Sequence, residues 1–327
     1  MSGDLVDVGD PADAATIAQL TQRLGRVHAR QRLGIEHDHE AQIFGQGLNF
    51  FHIENWYSLH SLIRAALKLT GLYARGERNA RAIQIRHNAV ELAELPAVFS
   101  GFVILQLSDL HVDISGGAME RLMQILPQLE YDLCVLTGDF RGRTFGPVAP
   151  VLDGLARIRA LIRTPAYGVL GNHDSIRMVP AMEEMGIRML LNEAVTISRG
   201  GDSIHLVGID DAHFFRVDNI EKALTGVPHD GISVLLSHTP EIYRQAAHAG
   251  FDLLLGGHTH GGQICLPGSI PIMLDSVLPR ALGAGAWRYR DMLGYTSVGV
   301  GTSIVPVRLN CPPEITLHRL HAPRPAQ

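Results

Sequence analysis

Beyond about residue 80 the chain is a succession of short apolar runs divided by polar, glycine-bearing loops. The runs are FVILQL (102–107), LCVL (133–136), YGVL (167–170), IHLVGI (204–209), ISVLL (232–236) and DLLL (252–255). Ahead of them, Ile83 and Ile85 alternate with polar neighbours, as in an edge strand. Continuous apolar runs of this length, bounded by turn residues, predict buried strands. Between them lie stretches of helical period at 118–129, where Met119, Leu122, Met123, Ile125 and Leu126 share a side, and at 151–162 and 240–249. Strands alternating with helices predict an α/β domain.

The first 80 residues have a different texture. Residues 1–45 are polar, and GIEHDHEAQ (34–42) reads as a solvated segment. Residues 52–75 read as one helix, with Trp56, Leu59, Leu62, Ile63, Ala66, Leu67 and Tyr73 on one face. Ser58, His60, Ser61, Arg64, Lys68 and Arg75 occupy the other. Such a stripe ordinarily docks on the main domain; the alternative is a peripheral helix on an anionic lipid surface. The expected organisation is a polar, partly flexible segment over 1–50, an amphipathic helical extension over 51–79, the main domain over 80–321 and a short tail over 322–327.

Composition narrows the functions. A formal charge of −5 argues against a nucleic-acid binder held by phosphate neutralisation. Cys134, Cys265 and Cys311 are odd in number and far apart, which fits buried thiols in a reducing compartment. The acidic opening MSGDLVDVGDPADAAT lacks the apolar core of an export signal, and no apolar run reaches bilayer length. A cytoplasmic location is expected, peripheral on the inner face of the membrane if the 52–75 helix meets lipid. One excess stands out: 17 histidines against 28 lysines and arginines.

The histidines become informative at the ends of the apolar runs. FVILQL is followed by Ser108-Asp109-Leu110-His111, and LCVL by Thr137-Gly138-Asp139. YGVL leads into Gly171-Asn172-His173-Asp174, ISVLL into Ser237-His238, and DLLL into Gly256-Gly257-His258-Thr259-His260. A single Gly-Asp is ordinarily a turn, and a single histidine ordinarily a satisfied side chain. Five such endings at the carboxyl ends of strands, where open α/β sheets bind ligands, point to one site. Two aspartates, an asparagine and four histidines suit Mn, Fe or Zn, and the set is large enough for two ions sharing a carboxylate. His37-Asp38-His39 mimics a ligand pair but has no third ligand nearby, and is not read as a metal site.

The order D-x-H, G-D, G-N-H-D, S-H, G-H-T-H resembles the calcineurin-like metallophosphoesterase superfamily. GHTHGGQI (257–264), the G-I-D-D at 208–211 and PVRLNCPPEITLHRL (306–320) are similar to its YkuE/YaeI-type branch. The resemblance spans roughly 80–320 and implies a four-layer αββα sandwich carrying two divalent metal ions. It assigns Asp109, His111 and His260 to one ion, Asn172, His238 and His258 to the other, and Asp139 to both. It makes His173 the acid that protonates the leaving group. Asp174 is expected either to orient His173 or to close a turn. Arg141 and Arg143, just after Asp139, offer a guanidinium fork for phosphate. Asp211 and His213 fall in a loop the branch places near the metals, as substrate contacts or turn closers.

The implied activity is hydrolysis of a phosphodiester or pyrophosphate by in-line attack of a water that the two ions share and activate. Small phosphoesters are the expected substrates. The alternative is a lipid-linked pyrophosphate such as UDP-diacylglucosamine at the membrane surface, suggested by the basic helix. A non-catalytic scaffold on the same fold is disfavoured, because the ligand set is complete. Relatives in the branch often begin with an export signal or membrane anchor, and the sequence has an acidic segment there instead.

Overall fold

The computed structural model describes residues 11–44 and 57–322. Two six-stranded sheets form its centre. The first runs β1-β14-β2-β3-β4-β5 and the second β12-β13-β9-β8-β7-β6. The first sheet is built from β1 (Gln84–Glu91), β2 (Val103–Leu107), β3 (Leu133–Thr137), β4 (Ala166–Val169), β5 (Ile187–Met189) and β14 (Glu314–His321). The second holds β6 (Glu193–Arg199), β7 (Asp202–Gly208), β8 (Ser233–Leu236), β9 (Leu253–Gly256), β12 (Gly285–Tyr289) and β13 (Met292–Thr296). A small hairpin, β10 (Cys265–Leu266) with β11 (Ile270–Pro271), stands apart.

Strand alternation explains the layering. Along β2, Val103, Leu105 and Leu107 face a cluster supplied by α5 (Gly116–Ile125), α6 (Ala149–Arg159) and α7 (Val179–Glu184), while Ile104 faces the other sheet. Along β8, Val234 and Leu236 meet Ile104 and Val135 between the sheets. Leu235 points outward to a cluster containing Tyr243 and Ala246 of α9 (Tyr243–His248) and Ala223 of α8 (Ile220–Ala223). The result is the expected αββα sandwich. Because β2, β3 and β4 pair in parallel, and β7, β8 and β9 likewise, the carboxyl ends within each group share an edge.

The N-terminal part departs from the expectation. Most of the segment expected to be polar and partly flexible is two helices, α1 (Pro11–Leu24) and α2 (Arg26–Phe44). Leu20, Leu24, Ala29 and Leu33 are buried in the same cluster as β2 and α5. Their apolar stripe is narrow and the rest of each helix is polar, so average polarity concealed it. Charge completes the docking: Arg23 forks onto Glu183 at 3.0 Å and onto Glu193. Glu36, inside GIEHDHEAQ, is buried.

The 52–75 helix is also different. Its start at 52–56, with Trp56, lies outside the described residues, as does the tail at 323–327; so do the side chains of Ser58, Leu59 and His60. From 57 on it is two helices, α3 (Tyr57–Leu69) and α4 (Leu72–Ala80), broken where Gly71 takes φ 71°. A left-handed residue cannot continue a right-handed helix, and glycine adopts it without steric cost. Leu67, Ile63 and Tyr73 pack on Val305, Val307 and Leu309, so the helix pair docks on the body. Leu62 and Leu69 remain 65% and 89% exposed beside Arg64 and Lys68. Among the described residues no helix is long and apolar enough to cross a membrane.

If α1 belongs to the core, Leu20→Ala leaves a cavity and lowers unfolding free energy by about 2–5 kcal/mol. Denaturant titration followed by circular dichroism reads this; a loosely attached helix would show no shift in the midpoint.

Candidate metal centre

All five loops identified at strand ends meet at one edge of the sandwich. Hydrogen bonds between the sheets stitch them together there. Gln106 Nε2 of β2 donates to Gly256 O at 2.9 Å, and His238 Nδ1 donates to Thr137 O at 2.8 Å. The approach is so close that a Cβ at Gly257 would collide with Ser108 Oγ and Asp109 Oδ2.

Asp109, His111 and His260 form one buried group, and Asp139, His238 and His258 a second, the ligand atoms in each lying within 4.8 Å of one another. Asp109, His111, Asp139, His258 and His260 all take positive φ, between 42° and 71°. Left-handed backbone is costly for residues with a Cβ, and its concentration at these ligand positions marks a site held against local preference.

The hydrogen bonding turns ligand-type nitrogens toward one another. A carbonyl only accepts, so His238 Nδ1 carries a proton and Nε2 turns inward. That nitrogen faces Asn172 Oδ1 at 3.0 Å and Asp139 Oδ2 at 3.2 Å. His111 repeats the pattern: Nδ1 donates to Arg141 O at 2.9 Å, and Nε2 faces His260 Nε2 at 3.0 Å. Asp109 Oδ1 is 3.4 Å from His260 Nε2. Imidazole nitrogen and carboxylate oxygen converging in two buried groups fit a divalent transition metal.

Electrostatics agrees. Burial pulls the His111 imidazole down to about 4 and His260 well below its usual range, so both are held neutral, the form in which imidazole can bind a metal. Burial also opposes a charge on His238, but Asp139 beside it overrides this and lifts His238 to about 10. Burial disfavours the Asp139 carboxylate too, yet His238 and His173 hold it well below the usual range. A metal ion held by this pair would compete with a proton for the same groups.

The remaining candidates separate. His173 lines the cleft, with Nδ1 2.8 Å from Thr144 Oγ1 and Nε2 3.9 Å from Asp139 Oδ2. Asp174 takes the turn-closing role: its carboxylate accepts from Gly171 N, Phe140 N and Arg141 N at 2.9, 2.9 and 3.2 Å. The group bonded to His173 Nδ1 is Thr144. Arg141 is buried and donates to Gly146 O at 3.0 Å; Arg143 is exposed, and neither lines the cleft. The phosphate fork is therefore not formed. Asp211 likewise closes a turn, accepting from His213 N, Phe214 N and Phe215 N. That turn brings His213 to the site, its ring centroid 4.3 Å from that of His258. Glu241 Oε2 holds His213 Nδ1 at 2.9 Å. His37 and His39 join no metal-ligand group among the described residues.

Thr144 and Glu241 were not singled out in the sequence. Thr144 follows Asp139, and Glu241 follows His238, within the same strand-end loops, which is a usable signal.

A model of the calcineurin-like phosphoesterase family matches residues 102–262. An uncharacterized metallophosphoesterase, YkoQ of Bacillus subtilis, is 30% identical over 259 residues, covering 75% of this chain and 93% of the relative. The chain belongs to the calcineurin-like phosphoesterase family. The phosphodiesterase YaeI of Escherichia coli is 27% identical over 252 residues, 72% of this chain and 87% of its own. A Danio rerio transmembrane protein with a metallophosphoesterase domain is 28% identical over 246 residues, 69% of this chain and 55% of its own. Membership makes the protein a metal-dependent phosphoesterase, with the αββα sandwich expected of the family.

Gly257→Ala tests the packing behind the ligands. The added methyl displaces Ser108 and Asp109, and metal affinity falls roughly ten- to a hundredfold. Elemental analysis after dialysis against graded metal concentrations reads it; wild-type occupancy in the folded variant would contradict the geometry.

Proposed function

We propose that the chain hydrolyses a phosphodiester or pyrophosphate bond at a centre of two divalent ions. Asp109, His111 and His260 hold one ion, Asn172, His238 and His258 the other, and Asp139 serves both. One observation carries this reading: Asp139 Oδ2 lies between the two groups, 3.2 Å from His238 Nε2 and 3.8 Å from His111 Nε2. The donor set suits manganese, iron or zinc. Bound there, the ions supply a nucleophile from water near neutral pH and offset charge on the phosphoryl oxygens.

The chain's own residues do the rest. His173 delivers a proton to the leaving oxygen, its ring angle fixed by Thr144. His213, braced by Glu241, contacts the substrate beside His258. The complete set of donors together with His173 argues against a scaffold that has lost chemistry.

A second reading concerns the substrate, and the cleft favours it. The cleft has a volume of about 350 Å³; Asp139, Asn172, His173, His258 and His260 form one end, while Ile63, Leu67, Ile264, Ile304 and Val305 form a wall. Ile272 and Met273 on its rim are 60% and 49% exposed. An apolar wall beside a phosphoryl site suits a lipid-linked pyrophosphate, of which UDP-diacylglucosamine is one. The exposed Leu62 and Leu69 beside Arg64 and Lys68 suit peripheral contact with an anionic membrane. The Danio rerio relative is itself named as a transmembrane protein.

With added Mn²⁺ the protein hydrolyses bis(p-nitrophenyl) phosphate, and Asp139→Ala or Asn172→Ala abolishes this. His173→Ala costs on the order of 10²–10⁴ in kcat on esters with alkoxide leaving groups, and far less on p-nitrophenyl esters, which leave without a proton. A folded, metal-loaded protein inactive on nucleotide-sugar lipids, cyclic nucleotides and glycerophosphodiesters alike would sink the proposal. For the second reading, wild type co-sediments with anionic vesicles, and a Leu62→Glu, Leu69→Glu double variant stays in solution with unchanged hydrolysis of the soluble ester. Wild type remaining in the supernatant would remove the membrane contact.

A further inference from the structure

Helix α2 reaches the catalytic edge from behind, through one face. His28, Arg32 and Glu36 follow each other at four-residue spacing, so their side chains stack along a single stripe. All three are buried, Arg32 completely. Glu36 grips the segment just beyond Asp174: Oε1 accepts from Ile176 N at 2.7 Å and Oε2 from Ser175 Oγ at 2.8 Å. Arg32 Nη2 donates to Asp174 O at 2.8 Å and lies 3.5 Å from Glu36 Oε1. On its other side Arg32 Nε is 3.5 Å from Asp210 Oδ1, and the guanidinium carbon sits 3.3 Å from the centre of the Phe215 ring. His28 Nε2 is 2.8 Å from Asp210 Oδ2.

The stripe therefore joins two loops from different sheets: the one after β4, which presents Asn172 and His173, and the one after β7, which presents His213. We propose that α2 is a positioning element for the catalytic edge, with Glu36 and Arg32 holding the 172–176 segment so that Asn172 and His173 keep their places. The proposal rests on the reading that these two residues work in the reaction.

Stability alone does not account for such a face. Burying a guanidinium and carboxylates costs more than burying apolar side chains of the same volume, and Arg32 Nε and Nη1 make no hydrogen bond among the described residues. What the charged groups provide is direction. The backbone groups Ile176 N and Asp174 O each receive one specific partner, which an apolar helix face could not supply. The device lies outside residues 102–262, so it belongs to the chain's own N-terminal part rather than to the stretch matched by the family model.

The test uses the full chain with Glu36→Ala, Glu36→Gln and Ser175→Ala, none of which touches a proposed ligand. Three quantities are read: amide hydrogen exchange over 171–178, metal ions per chain, and kcat and KM for bis(p-nitrophenyl) phosphate with Mn²⁺. Glu36→Ala is expected to speed exchange at 171–178 selectively and to lower kcat roughly tenfold. KM should stay within about twofold, because binding of the small ester is untouched. Glu36→Gln keeps one acceptor oxygen and restores most of kcat; Ser175→Ala, which keeps the bond to Ile176 N, falls between. Faster exchange spread evenly over the chain, or wild-type exchange and kcat in folded Glu36→Ala, overturns the proposal. If Glu36→Ala does not fold, wild-type values of both in Ser175→Ala and Glu36→Gln overturn it equally. An inactive wild type defeats the functional reading instead, and the exchange pattern still decides whether α2 clamps the loop.

Discussion

The structure depends on an electrostatic conflict at the seam between its two sheets. Buried imidazoles and carboxylates are crowded face to face, with the Nδ1 protons of His238 and His111 turned outward onto backbone carbonyls. Polar side chains buried this densely stay in place only if the frame holds them, and here the frame is stiff. Parallel strands run edge-on into the site, inter-sheet bonds close it, and glycines remove the side chains that would keep the loops apart. The left-handed backbone at five candidate ligands is the local cost of that arrangement, offset by the core on either side. A cation is what turns the conflict into a set of bonds.

Much of this was legible from the sequence, for a physical reason. The central strands are buried on both faces, so they appear as continuous apolar runs, and loops at their carboxyl ends appear directly after them. Ligand residues in such loops are recognisable by type and place together. Short edge elements such as β5 and β12 carry no comparable run and were not legible.

Side-chain roles decided by three-dimensional neighbours were less accessible. Arg141 and Asp211 have the right chemistry for substrate, but Arg141 is buried with Nη2 on Gly146 O, and the Asp211 carboxylate is taken up by the amides of its own turn. Asp174 is in the same position. Adjacency in sequence to a ligand says little about which way a side chain turns, because a turn residue and a contact residue occupy the same loop. Helices α1 and α2 were obscured differently: their attachment uses ion pairs with residues more than 100 positions away, and polarity of that kind looks like solvation until the partners are known.

The family resemblance begins at the first central strand, yet the chain's working unit begins earlier. His28, Arg32 and Glu36 lie outside the residues matched by the family model, and they touch two of the loops that carry candidate site residues. Trimming the protein to residues 102–262 would therefore remove the side chains that hold these loops from behind. Two relatives with identical motif sets, one with this helix and one without, would share a reaction centre and differ in how firmly it is held.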